Sequence, residues 1–204
     1  MSVAAHAPRS LRAEPSRGRS PGFWGMWMLI FTEATLFSIL LTSYFFLRFR
    51  APEWPLGDIP PPELALVFVM TPILLLSSAP MHWADVAARR GWTGQLKAGL
   101  LLTFLMGATF LGLQGYEYMH TLREFTPRTN VYGTLFFTIT GFHGLHVLVG
   151  LVMVLWVQFY AWRGAFGRHR QGPVEVVALY WHFVDVVWLA ILVSVYLSPH
   201  FWPQ

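Results

Sequence analysis

Five long apolar stretches, separated by short polar loops, dominate the pattern of hydrophobic and polar positions along the 204-residue chain. We place these stretches at about 23–47, 63–82, 96–118, 131–160 and 176–197. Each approaches or exceeds the ~20 residues that an α-helix needs to cross the ~30 Å hydrocarbon core of a bilayer. The pattern therefore predicts an all-α, polytopic membrane protein, with one bundle of five transmembrane helices within residues 22–200.

The composition supports this fold class and narrows the chemistry. Hydrophobic residues make up 55% of the chain and charged residues only 12%, and the mean hydropathy is +0.48. An ordinary soluble domain is about one quarter charged. The absence of cysteine excludes disulfides, thiolate chemistry and iron–sulfur clusters held by this chain.

The distribution of basic residues predicts the orientation in the membrane. Ten of the 14 Lys and Arg residues fall in the N-terminal tail and in the second and fourth loops, which lie on one side of a five-span bundle. Because Lys and Arg are enriched in cytoplasmic loops, we expect this side, with the N-terminus, to face the cytoplasm. Residues 1–21 carry four arginines and one acidic residue, which predicts a disordered basic cytoplasmic tail.

Several ionisable residues fall inside the predicted spans, where lipid tails offer no hydrogen bonds. They are Glu33, His143, His146, His182 and Asp185. Counting along the helices at ~1.5 Å per residue puts Glu33 and His146 at a similar depth, in the inner half of the bilayer. We expect Glu33 to pair with His146, and Asp185 to pair with His182 or with a histidine across the bundle. Such pairs either handle protons or lipid, or only hold helices together.

Histidines also raise the question of metal or haem ligation. His143 and His146 are three residues apart, on neighbouring parts of one helix face, and with His182 or His82 they could ligate haem b or copper. However, they form no evident set at matched depths on two facing helices, as two axial ligands require. We therefore predict that these histidines bind no metal or haem.

Other polar and small residues point to helix packing. Gln114 and Glu117 lie one turn apart near the outer end of the third span, where we expect interfacial water to reach them. Together with Glu175, before the fifth span, they are predicted to support helix packing. Small residues recur on the third and fourth spans and allow close approach of helices. They include Gly99, Gly107, Gly112 and Gly115 on the third span, and Gly133, Gly141, Gly144 and Gly150 on the fourth.

Four motifs carry a family resemblance. They are W-G-M-W at residues 24–27 with Glu33 and Y-F-F-L-R at 44–48, L-Q-G-Y-E-Y at 113–118, Y-G at 132–133 with G-F-H-G-L-H-V at 141–147, and Glu175 with Y-W-H-F-V-D-V-V-W at 180–188. In order and spacing, they resemble subunit III of the haem–copper terminal oxidases, the family of cytochrome c and quinol oxidases.

The resemblance implies a non-catalytic component of a cytochrome c or quinol:dioxygen oxidoreductase in aerobic respiration. Such a subunit binds no redox centre, since haem and copper belong to partner subunits. It packs mainly on subunit I, with subunit II and small subunits nearby, and resides in the bacterial inner membrane. It also holds structural phospholipid and supports proton uptake and the durability of the active site. Glu33 matches the family's buried, carbodiimide-reactive glutamate, which lies close to the histidine matching His146.

The chain departs from the family pattern in two respects. Many members have seven helices, and this chain matches only the last five. In addition, Tyr160 stands where the family has a basic residue for lipid phosphate, so Arg163, three residues later, is the candidate contact. Two alternatives stay open: an accessory subunit of a nitric oxide reductase, and a haem-b electron carrier that uses His143, His146 or His182. The glutamate at Glu33 favours the oxidase.

Overall fold

The computed structural model describes residues 20–57, 59–164 and 172–201, and it contains five helices long and apolar enough to cross a membrane. The helices are α1 (Pro21–Arg48), α2 (Leu64–Arg90), α3 (Thr93–Glu124), α4 (Val131–Trp162) and α5 (Gly172–Ile191). α5 continues through a π-helical segment, Leu192–Leu197, into a last turn, Ser198–Phe201. No strand occurs in the described residues. The predicted all-α membrane bundle is confirmed, whereas nearly all of the predicted basic tail lies outside the described residues.

Local sequence signals determine where the helices begin and end. Ser20 caps α1 by accepting a hydrogen bond from the backbone of Phe23, and Pro21 occupies the first helical position. The Asn130 side chain caps α4 in the same way, accepting from the Gly133 N–H at 2.9 Å. α2 ends at Arg90, and the next residue, Gly91, has a φ of 75° in the left-handed region that glycine adopts without strain.

Two helices extend well beyond the apolar stretches. The second stretch ends near His82, but α2 continues to Arg90, and α3 continues from the expected end at Tyr118 to Glu124. Hydropathy identifies only the apolar part of a helix, which lies in the hydrocarbon core of the bilayer. The polar ends stay helical because the terminating signals, such as Gly91, come later in the chain.

α5 lies at the centre of the bundle, packed against α1, α2 and α4, while α3 packs against α2 and α4. In an apolar 18-residue stretch of the fifth span, 56% of the residues are buried, whereas the corresponding share is 17% in α1, at the periphery. The fully buried ring of Trp181 sits between α3 and α4. A side chain at Gly107 would place its Cβ 2.6 Å from this ring, and one at Gly150 would place it 3.0 Å away. The expected close approach at these glycines is thus present.

Candidate functional site

A carboxylate–imidazole pair joins α1 to α4. Glu33 Oε2 lies 3.1 Å from His146 Nε2, as expected from their similar depth. His146 Nδ1 lies 2.6 Å from the carbonyl oxygen of Phe142. Because a carbonyl can only accept, Nδ1 must carry a hydrogen. Nε2 is then the ring nitrogen that faces the carboxyl group, and the hydrogen bond between them needs a hydrogen on one of these two groups.

The surroundings of the pair are apolar and open to the side of the bundle. A groove of about 450 Å³ runs between α1, α4 and α5 with Glu33 and His146 in its wall. Its other lining residues include Met26, Leu29, Leu36, Leu145, Met153 and Tyr180. The exposed fraction is 26% for the Glu33 side chain and 12% for that of His146. The pair is therefore accessible from the groove, at a depth that faces lipid tails.

His143 does not share the surroundings of His146, which corrects the expectation that they lie on neighbouring parts of one face. The His143 ring is fully buried in the core, 5.0 Å from the Trp188 ring in a stacked arrangement and edge-on to Phe110. Neither ring nitrogen has a hydrogen-bond partner within the described ranges. His143 is a core side chain, whereas His146 faces the groove.

Asp185 and His182 meet through a residue that the sequence analysis did not identify. Ser78 of α2 donates its hydroxyl hydrogen to Asp185 Oδ2, and its Oγ lies 2.8 Å from His182 Nδ1. The hydroxyl has only one hydrogen, so His182 Nδ1 is the donor in the second bond. The expected Asp185–histidine pairing is thus indirect. The signal was available in the Ser77–Ser78 pair, two polar residues within the second apolar stretch.

Gln114 and Glu117 are buried, contrary to the expectation that interfacial water reaches them. Gln114 is 3% exposed, and its Nε2 donates to the Thr140 carbonyl of α4 at 3.0 Å. Glu117 is 8% exposed and accepts a hydrogen bond from the Tyr196 hydroxyl at 3.1 Å. Both side chains therefore connect α3 to a neighbouring helix.

The remaining candidates lie near the ends of the helices expected to face the cytoplasm. Arg89 Nη2 is 2.9 Å from Asp85 Oδ2 and 3.5 Å from Glu175 Oε1, so it links α2 to α5. Arg163 is exposed at the end of α4, with its guanidinium carbon 4.1 Å from the centre of the Phe159 ring. Its contact with lipid phosphate stays a prediction. Over the described part of the chain, no group of three or more His, Cys, Asp or Glu is arranged to hold a metal ion.

Comparison with known proteins gives a consistent result. The family described as "Cytochrome c oxidase subunit III" matches residues 19–202. The chain is 39% identical to cytochrome c oxidase subunit 3 of Synechocystis over 178 residues, covering 85% of this chain and 74% of that protein. It is 35% identical to cytochrome c oxidase subunit 3 of Thermostichus vulcanus, covering 87% of each. It is 36% identical to cytochrome bo(3) ubiquinol oxidase subunit 3 of Pseudomonas aeruginosa, covering 85% and 83%.

Proposed function

This chain belongs to the cytochrome c oxidase subunit III family, and from that premise we propose that it is a non-catalytic subunit packed on subunit I of a haem–copper terminal oxidase. The chain supplies no redox centre. Haem and copper lie in its partner subunits, with subunit II nearby. The observation that carries the proposal is the Glu33–His146 pair in the apolar groove, together with the family membership.

The groove supports a role in holding lipid. Its apolar wall, formed by residues such as Leu29 and Met153, matches acyl chains at the same depth. A carboxylate alone would be unfavourable beside them, but a carboxyl group that is hydrogen-bonded to an imidazole is tolerated. Arg163, exposed at the end of α4, is the proposed contact for a lipid phosphate.

The same pair supports an indirect role in proton uptake and in the durability of the active site. Glu33 and His146 can each take up and release a proton, and they are hydrogen-bonded to each other between α1 and α4. This chain donates no electron to dioxygen. Its effect on catalysis is exerted through lipid retention and proton supply next to subunit I.

The position of the basic residues supports an orientation with the N-terminus in the cytoplasm. We propose that this multi-pass protein resides in the bacterial inner membrane, as the family resemblance implies, and the relatives from Synechocystis and Pseudomonas aeruginosa support a bacterial setting.

The two alternatives have less support. The named relatives are oxidase subunits, which favours an oxidase over a nitric oxide reductase. A haem-b carrier needs two imidazoles that face one iron, but the three candidate histidines point to separate neighbours. His143 stacks on Trp188, His146 pairs with Glu33 and His182 contacts Ser78.

Dissociation of this chain from the purified oxidase tests the proposal. After detergent removes the chain, we expect the haem spectrum to stay with the remaining subunits. Dioxygen reduction should begin at a similar rate and then decay after fewer turnovers than in the intact complex. Haem that migrates with the separated chain would contradict the proposal.

A further inference from the structure

A short chain of hydrogen bonds between α2 and α5 ends at a buried acid. Asp185 is 6% exposed, and among the described residues the Ser78 hydroxyl is its only hydrogen-bond partner. The Ser78 Oγ in turn lies 2.8 Å from Nδ1 of the His182 ring. The function proposed above uses the Glu33–His146 pair and assigns no role to this chain of bonds.

The chain of bonds can carry its hydrogens in either direction. Ser78 has one hydroxyl hydrogen and two partners, so one of the partners must donate to it. In the arrangement described above, His182 Nδ1 donates to Ser78, and Ser78 donates to a deprotonated Asp185. In the reverse arrangement, a protonated Asp185 donates to Ser78, and Ser78 donates to His182 Nδ1. Both arrangements use the same two bonds, so no side chain has to move for one to become the other.

One proton separates the two arrangements. A proton that binds His182 Nε2 gives an imidazolium, which passes its Nδ1 hydrogen to Ser78 while Ser78 passes its own hydrogen to Asp185. The result is a neutral carboxyl group and a neutral imidazole that keeps its hydrogen on Nε2. The same transfers in reverse release the proton from Nε2. Histidine suits this role because its two ring nitrogens are distinct sites for a proton.

Polar side chains connect His182 to the helix ends expected to face the cytoplasm. His182 is half-buried, and its Nε2 forms no hydrogen bond with a described residue. The exposed His82 and the carboxylate of Asp85 lie close enough to act electrostatically on the ring. Asp85 is bonded to Arg89, whose half-exposed side chain also contacts Glu175 near the start of α5. Water at the end of the bundle therefore has a polar path towards Nε2.

The ionisable side chains of the other helices packed against α5 do not reach Asp185. Glu33 of α1 and His146 of α4 bond to each other in the wall of the apolar groove. His143 of α4 is enclosed by aromatic rings and has no hydrogen-bond partner in the described part of the chain. The hydrogen-bonded route to Asp185 therefore passes through Ser78.

We propose that Asp185, Ser78 and His182 form a proton-exchange site, in which Asp185 takes up a proton from the cytoplasmic side, and returns it there, through Ser78 and His182. The cytoplasmic direction rests on the orientation proposed above. The site deepens the proton-supply role of the proposed function, because it adds a second place where this chain holds a proton, apart from the Glu33–His146 pair.

Infrared spectroscopy of the purified complex in lipid nanodiscs tests the proposal. A protonated carboxyl group absorbs apart from a carboxylate, and its band shifts when deuterium replaces the proton. The band that is lost in Asp185→Asn identifies Asp185 among the other carboxyl groups of the complex. We expect this band to grow as the pH is lowered, and to shift promptly after transfer into heavy water.

Variants of the two relay residues report the route. Ser78→Ala and His182→Gln should each slow the deuterium shift of the Asp185 band by at least about tenfold, because each removes a proton-transferring group within hydrogen-bond reach. Ser78→Thr keeps the hydroxyl group and should restore the rate. Ser77→Ala and His82→Gln are the matched controls on α2, since neither side chain is bonded to the relay residues, and both should exchange at the wild-type rate.

Two results would overturn the proposal. One is an equal rate of exchange in the wild type, Ser78→Ala and His182→Gln, because the proton would then reach Asp185 by another route. The other is the absence of an Asp185 band over the whole pH range in which the complex keeps its subunits. Retention of all subunits and unchanged helical circular dichroism verify that each variant is folded. A purified complex without haem would instead contradict the function proposed above, and the exchange at Asp185 would still be measured.

Discussion

Glu33 of α1 and His146 of α4 are 113 residues apart in the chain, and their side chains meet at 3.1 Å in the wall of an apolar groove. His146 Nδ1 must donate to the carbonyl of Phe142, so Nε2 is the ring nitrogen that faces the carboxyl group of Glu33. This arrangement lets a carboxyl group lie at the depth of lipid tails. It also connects the peripheral helix α1 to the rest of the bundle.

Replacing Glu33 with Ala should leave the haem content of the complex unchanged and lower both phospholipid retention and the number of turnovers before inactivation. The variant leaves His146 Nε2 without its partner and opens the groove wall. Lipid phosphorus per haem and the decay of dioxygen consumption measure the two effects. Glu33→Gln is the matched control, since an amide preserves a hydrogen bond to Nε2 and should retain more lipid. Loss of haem or copper in either variant would argue against a non-catalytic role.

Replacing Ser78 with Ala should destabilise the bundle by about 1–3 kcal/mol, the usual cost of leaving a buried polar group unsatisfied. Ser78 is the shared partner of Asp185 and His182, so one substitution removes both bonds. The free energy of unfolding, measured by SDS titration in mixed micelles, reports the loss. Ser43→Ala provides the comparison, because this exposed hydroxyl donates, among the described residues, only to the Ile39 carbonyl of its own helix, and its loss should cost little. Equal stability of the two variants would refute the bridging role.

Replacing Gly107 with Ala should cost about 1–3 kcal/mol through overpacking. The new methyl group would lie 2.6 Å from the buried Trp181 ring, which also contacts Gly150 and donates to Ser77. The Trp181 ring therefore has little room to move. The same titration measures the effect, and Gly112→Ala, with open space around it, should be neutral or slightly stabilising. A neutral Gly107→Ala would mean that the ring can shift.

Replacing Glu175 with Gln should lower the free energy of unfolding less than replacing Arg89 with Gln. Arg89 is half exposed, and Asp85 remains its nearer partner when Glu175 becomes Gln, so the loss should stay below about 1 kcal/mol. Arg89→Gln instead leaves the buried Asp85 without its cation and should be clearly more destabilising. The free energy of unfolding of both variants, measured at low and at high salt, tests this expectation. A larger loss for Glu175→Gln would reverse the assigned importance of the two contacts.

The sequence indicates how deep a residue lies in the membrane better than it indicates which side of the helix its side chain faces. Glu33 and His146 could be paired in advance because a helix rises by a constant amount per residue, so their positions along two spans give their depths. The side of a helix that faces its neighbours is harder to infer, because a transmembrane helix is apolar all round. That is why Gln114 was expected near water and is buried, and why His143 and His146 were expected together and are separate.

Small hydroxyl groups present a related difficulty. Ser78 could not be distinguished from Ser77 or Thr71, which also lie in α2 and bond to Trp181 and Trp188. Such side chains barely change the hydropathy of a span, and only the packing of α2 against α5 decides which of them meets Asp185. The five helices were thus predictable, whereas the polar contacts between them required the structure.

The most direct test of the central claim is purification through an N-terminal tag in mild detergent, followed by a reduced-minus-oxidised spectrum and mass spectrometry of the partners. We expect a large haem-bearing subunit that consumes dioxygen to co-purify, and we expect no haem to remain on this chain after the complex is dissociated. Haem retained by the isolated chain would contradict the account and would make His143, His146 and His182 the residues to examine for electron transfer.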